Sequence, residues 1–95
     1  MTDYKECEIC KTFTNENRLK ILMALKNRPL NVSEIVKKTG LSQSVVSQNL
    51  SLMKLNGIVQ SYKIKNFVNY KLKYPEILKV FKIIKKINEK IKKGD

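Results

Sequence analysis

The two cysteines, Cys7 and Cys10, are the side chains of this sequence with redox or soft-metal chemistry, and they stand three positions apart. A Cys-x-x-Cys pair can form a disulfide, supply half of a zinc site, or pack as two small apolar side chains. Tyr4, Cys7, Cys10 and Phe13 recur at every third position, which predicts that the pair lies in the middle of a helix. Simple packing is the first interpretation. The alternatives are a redox pair and a zinc site in which four thiolates meet across a two-fold dimer axis.

The rest of the composition argues against catalysis. The sequence has no histidine, no tryptophan and three separated glycines. It therefore offers no imidazole general base, no Ser-His pair, no two-histidine metal motif and no glycine-rich phosphate loop. We expect a binding protein with no enzymatic activity, no cofactor and no small-molecule substrate.

The charge points to a polyanionic partner. Lys and Arg number 20 against 8 Asp and Glu, a net charge of +12, in a chain of 95 residues that is long enough for one domain over residues 1–95. Such a basic domain is expected to bind nucleic acid or, as the second possibility, an anionic membrane surface. No apolar run approaches the roughly 18 residues of a membrane span, and the acidic N-terminus does not resemble a signal peptide. We expect a cytoplasmic protein.

The elements that must position these residues follow from caps and periodicity. A short helix is predicted over residues 3–13, and Asn15 is a suitable cap for a second helix that ends before Pro29. Residues 31–56 contain a capping box and a second cap and predict a helix-turn-helix. The hydrophobic period then changes to two over residues 58–72, which predicts a hairpin. The fold class is therefore mainly α with a small β-hairpin, a winged helix-turn-helix with extra N- and C-terminal helices.

The second helix of the predicted helix-turn-helix separates apolar from polar residues. Val46, Leu50 and Met53 form one buried stripe. The opposite side is small, polar and uncharged, and Gln can pair bidentately with adenine while Ser can contact any base edge or a phosphate. The alternative is a solvated face without a partner. We predict that this face reads DNA bases through Gln43, Ser44, Ser47 and Gln48.

Lysines surround this polar face and occupy the predicted hairpin. Such side chains would contact phosphates, and those contacts position a protein without specifying a sequence. Ordinary solubility is the alternative explanation for the lysines. The residues predicted to contact the DNA backbone are Ser42, Lys37, Lys38, Ser51, Lys54, Lys63, Lys65, Asn66 and Lys71.

A last helix is predicted over residues 75–93, with apolar residues at alternating spacings of three and four. This seam is typical of a helix pair, and most lysines of the segment fall on the other side. The alternatives are that the seam completes the domain's own core or that the helix lies on an anionic membrane. We predict a homodimer formed by the first and last helices, through Tyr4, Phe13, Ile77, Val80, Phe81, Ile84, Ile87 and Ile91.

Three motifs give residues 13–72 a resemblance to the ArsR/SmtB family of winged-helix transcriptional repressors. The stretch Phe13 to Leu22 is similar to the family's opening, Leu41 to Leu50 resembles its recognition-helix signature Leu-Ser-Gln-Ser-x-Val-Ser-x-His-Leu, and Leu55 to Val59 resembles the Gly-Leu-Val before the wing. The resemblance implies a dimeric, sequence-specific DNA-binding regulator, and a repressor in particular. The alternative is a winged-helix module that binds RNA or protein in the transcription or translation machinery.

The chain departs from the family pattern at its sensory sites. Asn31-Val32-Ser33 stands where metal-sensing members carry a Cys-x-Cys type motif, and the last helix has no histidine for the family's other zinc site. Asn49 replaces the recognition-helix histidine, and Gln48 replaces the Arg often found before it. Neither usual metal site is therefore expected, and base preference does not carry over from better-known relatives.

Overall fold

The computed structural model describes residues 7–94, which form five helices and one three-stranded antiparallel sheet. In chain order the elements are α1 (Glu8–Phe13), α2 (Glu16–Ala24), β1 (Leu30–Asn31), α3 (Val32–Thr39), α4 (Gln43–Leu55), β2 (Val59–Ile64), β3 (Phe67–Leu72) and α5 (Ile77–Lys92). The arrangement is mainly helical with a small sheet, as the sequence predicts.

The predicted caps are present and set the helix boundaries. Asn15 Oδ1 accepts a hydrogen bond from the Arg18 N–H at 3.0 Å and begins α2. Asn31 and Glu34 form the reciprocal capping box of α3, with N···O distances of 2.9 and 3.0 Å. Gly40 ends α3 at φ 73°, a left-handed conformation that glycine adopts without a steric penalty. These local signals fix where the helix-turn-helix starts and turns.

One apolar core holds α2, α3, α4 and the sheet together. The predicted stripe of α4 is inside it, since Val46, Leu50 and Met53 are at most 1% exposed. Because this stripe faces inward, the orientation of α4 about its own axis is set by the core. The other buried apolar residues are Ile21, Leu22, Ala24, Leu25, Leu30, Ile35, Ile58, Val59, Leu72 and Ile77.

The predicted hairpin is present and belongs to a larger sheet. β2 and β3 pair antiparallel around a two-residue turn, Lys65 and Asn66, within the predicted range of residues 58–72. The strand that the sequence does not reveal is β1, which pairs with β3 through Leu30↔Tyr70 and Asn31↔Asn69. Two residues are too few to show a period of two, so no pattern could signal this strand.

The first helix differs from the prediction. α1 begins at Glu8, Cys7 is its extended N-cap, and residues 1–6, including the predicted interface residue Tyr4, lie outside the described part of the chain. Cys7 and Cys10 are joined by a disulfide, and Cys7 Sγ accepts the Cys10 N–H at 3.1 Å. The expectation of two unbonded thiols in the middle of a helix is therefore wrong. The two cysteines are bonded to each other, and they lie at the beginning of α1.

The last helix contacts the protomer mainly through its first turns. Ile77, predicted to lie in the dimer interface, is part of the protomer core at 9% exposure. Phe81 stacks on Phe13 with ring centroids 6.2 Å apart and an interplanar angle of 13°. Both aromatic rings, also predicted at the interface, thus already have a partner within the chain.

Candidate nucleic-acid interface

The predicted base-reading residues lie on the solvent side of α4. Gln43, Ser44 and Gln48 are exposed and Ser47 is half-buried, while the core stripe occupies the opposite side of the helix. Ser42 caps the helix, since its Oγ accepts the Val45 N–H at 3.2 Å. The face carries no charged side chain from residue 43 to residue 51. Its side chains can donate hydrogen bonds to base edges and accept hydrogen bonds from them. No lysine lies among them that would bind a phosphate instead.

The start of α3 lies between the hairpin and the reading face, the side of α4 that carries Gln43, Ser44, Ser47 and Gln48. On one side, Val32 and Ser33 share a groove of about 270 Å³ with Gln43 and Lys37. On the other side, the same two residues share a groove of about 220 Å³ with the end of the hairpin, lined there by Asn66, Phe67 and Val68. The first turn of α4, the first turn of α3 and the hairpin tip therefore form one continuous surface.

The predicted phosphate contacts divide into two groups. Lys37, Lys63, Lys65 and Asn66 are exposed on or beside the continuous surface, and Lys54 and Ser51 are exposed toward the end of α4. The structure does not bring Lys38 and Lys71 to the same place. Lys38 lines a groove with α2 and Phe81, and Lys71 lies at the base of the hairpin, with its Nζ 5.6 Å from the centroid of the Tyr62 ring.

One carboxylate near this surface is already paired. Glu34 accepts the Asn31 backbone N–H, and its second oxygen lies 3.2 Å from Arg28 Nη2. The Asn31 hydrogen bond first, and then the Arg28 guanidinium, hold the pKa of Glu34 below its ordinary value. Because Arg28 compensates its charge, Glu34 does little to repel an approaching phosphate.

Asn49 is a structural residue that the base-reading prediction did not include. Its Nδ2 donates to the Val45 carbonyl at 2.8 Å, and its Oδ1 accepts from Arg18 Nε at 3.4 Å. The side chain therefore faces α2 and joins the two helices. No sequence pattern signals this contact, because the two partners are 31 positions apart.

A second polar link joins α1 to the far end of α4. Glu8 Oε2 accepts a hydrogen bond from Asn56 Nδ2 at 3.2 Å, and Asn56 is the C-cap of α4. The other oxygen of Glu8 pairs with Lys11 Nζ at 3.1 Å. Glu8 stands directly after Cys7, so the disulfide and the end of α4 are connected through one side chain.

The predicted seam of α5 is largely uncovered. Val80, Ile84, Ile87 and Ile91 are between 44% and 67% exposed, and each follows the previous one by three or four positions. Within the described chain nothing covers this stripe. Among the same residues, no helix has both the length and the apolar character needed to cross a membrane.

Together, α3, α4 and the β2–β3 hairpin define a winged helix-turn-helix DNA-binding protein, with α4 as the recognition helix and the hairpin as the wing. Residues 15–61 match the family described as bacterial regulatory protein, arsR family. The chain belongs to this family of transcription regulators.

Similar proteins agree with this assignment. The transcriptional activator HlyU of Vibrio cholerae is 31% identical over 83 residues, which are 87% of this chain and 77% of that protein. The crystal structure of HlyU from Vibrio vulnificus is 38% identical with a TM-score of 0.70, over 81% of this chain and 80% of that one. The homodimeric winged helix-turn-helix domain Mb0332 from Mycobacterium bovis shares the fold, with a TM-score of 0.78 at 21% identity over 100% and 94% of the two chains. The curated relative is an activator, so repression stays an expectation of the resemblance.

Proposed function

We propose that the chain acts in the cytoplasm as a dimeric, sequence-specific DNA-binding regulator. α4 enters the major groove and reads bases through Gln43, Ser44, Ser47 and Gln48, and the wing and Lys37 contact the adjoining backbone. The observation that carries this proposal is the uncharged polar face of α4, held outward by the core stripe and continuous with a basic wing. Base edges and phosphates then have separate partners on the protein.

The dimer proposal depends on the α5 seam. Four aliphatic side chains exposed along one side of a helix suit a second copy of the same helix. The homodimeric state of the Mb0332 domain supports this arrangement. A two-fold dimer presents two recognition helices, so we expect two half-sites about one helical turn, roughly 34 Å, apart.

Selection from random duplex DNA tests the proposal. We expect the wild type to select a two-fold symmetric site, and Gln43→Ala or Gln48→Ala to lose about 1–3 kcal/mol at one base position in each half-site. Gln60→Ala is the matched control, because Gln60 pairs with Lys71 in the β2–β3 hairpin and is not among the predicted base-reading residues. If both variants at α4 select the wild-type sequence, the assignment of the reading face is wrong.

We also propose that the Cys7–Cys10 disulfide controls DNA binding. Reduction by a dithiol adds two electrons and two protons, breaks the S–S bond, and changes the cap of α1. The link from Glu8 to Asn56 then carries the change to the end of α4. A zinc site across the dimer is the less supported alternative, since it needs Cys7 and Cys10 as thiolates, whereas the structure joins them in a disulfide.

The affinity of the wild type for its selected site should differ between reduced and oxidised protein. Cys7→Ser/Cys10→Ser should make the affinity independent of redox state, and Asn56→Ala should weaken the difference while leaving the disulfide intact. An affinity that is equal for the oxidised, reduced and zinc-loaded wild type would show that the disulfide is only structural.

A further inference from the structure

The tip of the wing carries two exposed apolar side chains that the core does not use. Ile64 is 52% exposed and Phe67 is 60% exposed, and they pair directly across the two-residue turn. Residues that face each other in this way lie on the same side of a hairpin, with Cβ atoms about 4.5–5.5 Å apart. We call Ile64 and Phe67 the tip pair.

The tip pair is not part of the protomer core, which includes neither Ile64 nor Phe67. At the base of the hairpin, Val59 pairs with Leu72, and both are buried. Ile64 lies five positions after Val59, which corresponds to about 17 Å of strand. The α5 seam begins after the base of the hairpin, so it extends from the opposite end of β3.

Charge identifies the kind of partner that fits the tip pair. Lys63 and Lys65 flank Ile64, and Asn66 completes the turn. An apolar pair within a basic, hydrogen-bonding turn suits a polyanion whose interior is apolar. A second copy bound at the same tip would set Lys63 and Lys65 against their counterparts, which disfavours that partner.

We propose that the tip pair enters the minor groove of duplex DNA beside the half-site and that Phe67 inserts against a base step. This inference rests on the proposed DNA-binding function. Asn66, Phe67 and Val68 share a groove with the first turn of α3, which in turn adjoins Gln43, so the wing tip continues the surface of the recognition helix. The lysines hold the phosphates on either side, and the ring of Phe67 contacts sugars and partly unstacks the bases.

The consequence is a preference at positions that α4 does not touch. Apolar side chains inserted from the minor groove kink the duplex by about 20–90°. Pyrimidine–purine steps such as TA and CA/TG open at the lowest cost. We therefore expect these steps to be enriched at a fixed distance from each half-site, and we expect the bound duplex to be bent there.

The experiment compares Phe67→Ala, Phe67→Leu and Tyr74→Ala with the wild type, by selection from random DNA and by fluorescence energy transfer across a labelled duplex. Tyr74 is the matched control, since it is an aromatic residue 53% exposed beyond the base of the wing. Phe67→Ala should bind about tenfold more weakly, because the stacking contact is lost. It should also lose the flanking preference and the bend, and keep the salt dependence of binding, since no charge changes. Phe67→Leu should retain most of the flanking preference, and Tyr74→Ala should match the wild type.

Two outcomes would overturn the inference. In the first, Phe67→Ala keeps the affinity, the bend and the flanking preference of the wild type, while Gln43→Ala still changes the selected half-site. The DNA-binding function then stands, and the tip pair does not contribute to it. In the second, Phe67→Ala sediments differently from the wild type in the absence of DNA. That result would show that the tip pair contacts a second copy of the chain. If the wild type selects no sequence at all, the proposed function itself fails.

Discussion

α4 and α5 are the two longest helices of the described chain, and their side chains are used in opposite ways. α4, with 13 residues, has a side-chain cap and buries one apolar stripe in its own protomer. α5, with 16 residues, has no side-chain cap bond and buries only Ile77. The first is positioned by the chain that contains it, whereas the second has an apolar side that nothing in the described residues covers. A disruptive substitution in α4 should therefore unfold the protomer, whereas a disruptive substitution in α5 should separate the two protomers of the proposed dimer.

The largest expected effect is the loss of a core side chain from α4. Leu50 is fully buried, so Leu50→Ala should lower the free energy of unfolding by about 2–5 kcal/mol at any protein concentration. Ile87→Ala is the control, because Ile87 is 52% exposed in the protomer. Its effect on urea unfolding should disappear at dilutions where the wild type is also monomeric. Equal, concentration-independent losses in both variants would remove the distinction between the helices.

Charges placed in the α5 seam should separate the dimer. Ile84→Lys/Ile87→Lys sets like charges against each other across the two-fold axis, so sedimentation should show a folded monomer. DNA affinity should fall about a hundredfold or more, because the two half-sites are no longer bound together. Lys79→Ala/Lys86→Ala changes the other side of α5 and should leave the dimer intact. A wild type that sediments as a monomer at micromolar concentration would contradict this prediction.

The lysines of the wing and of α5 should differ in their effect on salt dependence. Each phosphate contact contributes about −0.9 to the slope of log K against log salt, so Lys63→Ala/Lys65→Ala, which removes four such contacts from the proposed dimer, should reduce the slope by about 3.6. Lys86→Ala/Lys90→Ala removes the same charge from α5 and should leave the slope unchanged. Binding titrations over a range of salt concentrations distinguish the two, and an equal reduction would place α5 on DNA.

Helix caps provide a smaller contrast. Asn31→Ala removes the side chain that caps α3 and should cost about 1 kcal/mol of unfolding free energy. Glu76→Ala should change stability little, because Glu76 makes no side-chain cap bond at the start of α5. Thermal unfolding of both variants measures the difference. A larger loss from Glu76→Ala would mean that α5 depends on its own N-terminus more than on its partner.

Glu34 gives the smallest effect and a defined pH dependence. Its folded pKa is lowered from 4.5, chiefly by the Asn31 hydrogen bond, so the folded state favours the charged form. The resulting stability is fully present above the unfolded pKa and is lost as the pH falls through the lower, folded value. Glu34→Gln should therefore flatten the acid side of the stability profile. An unchanged profile would show that the capping carboxylate contributes nothing.

The sequence predicts most of what local chemistry determines. The caps at Asn15, Asn31 and Ser42, the buried stripe of α4 and the hairpin are confirmed, because each depends on residues close together in the chain. Strand β1 was missed because it exists only through its pairing with β3. The Arg18–Asn49 contact was missed because it joins distant segments.

The expectations for the predicted interface residues show what helical spacing leaves open. Ile77 fits the heptad-like spacing of the seam, but it is buried in the protomer core. Phe13 and Phe81 are similarly paired with each other. Spacing shows which side of a helix is apolar, but it does not show which neighbour covers each turn. The roles of the remaining seam and DNA-contacting residues stay predictions.

The uncharged reading face of α4 has a kinetic consequence. In the proposed function, lysines of the wing and of α3 would hold the protein on DNA away from its site, because their attraction to phosphates is independent of sequence and lets a protein slide along the duplex. An uncharged base-reading face slows this sliding little, because its side chains gain contacts only where the base edges match them. Substitution of the lysines should therefore change mainly the time that the protein needs to find its site on DNA. Substitution of the glutamines should change mainly the time that it stays bound there.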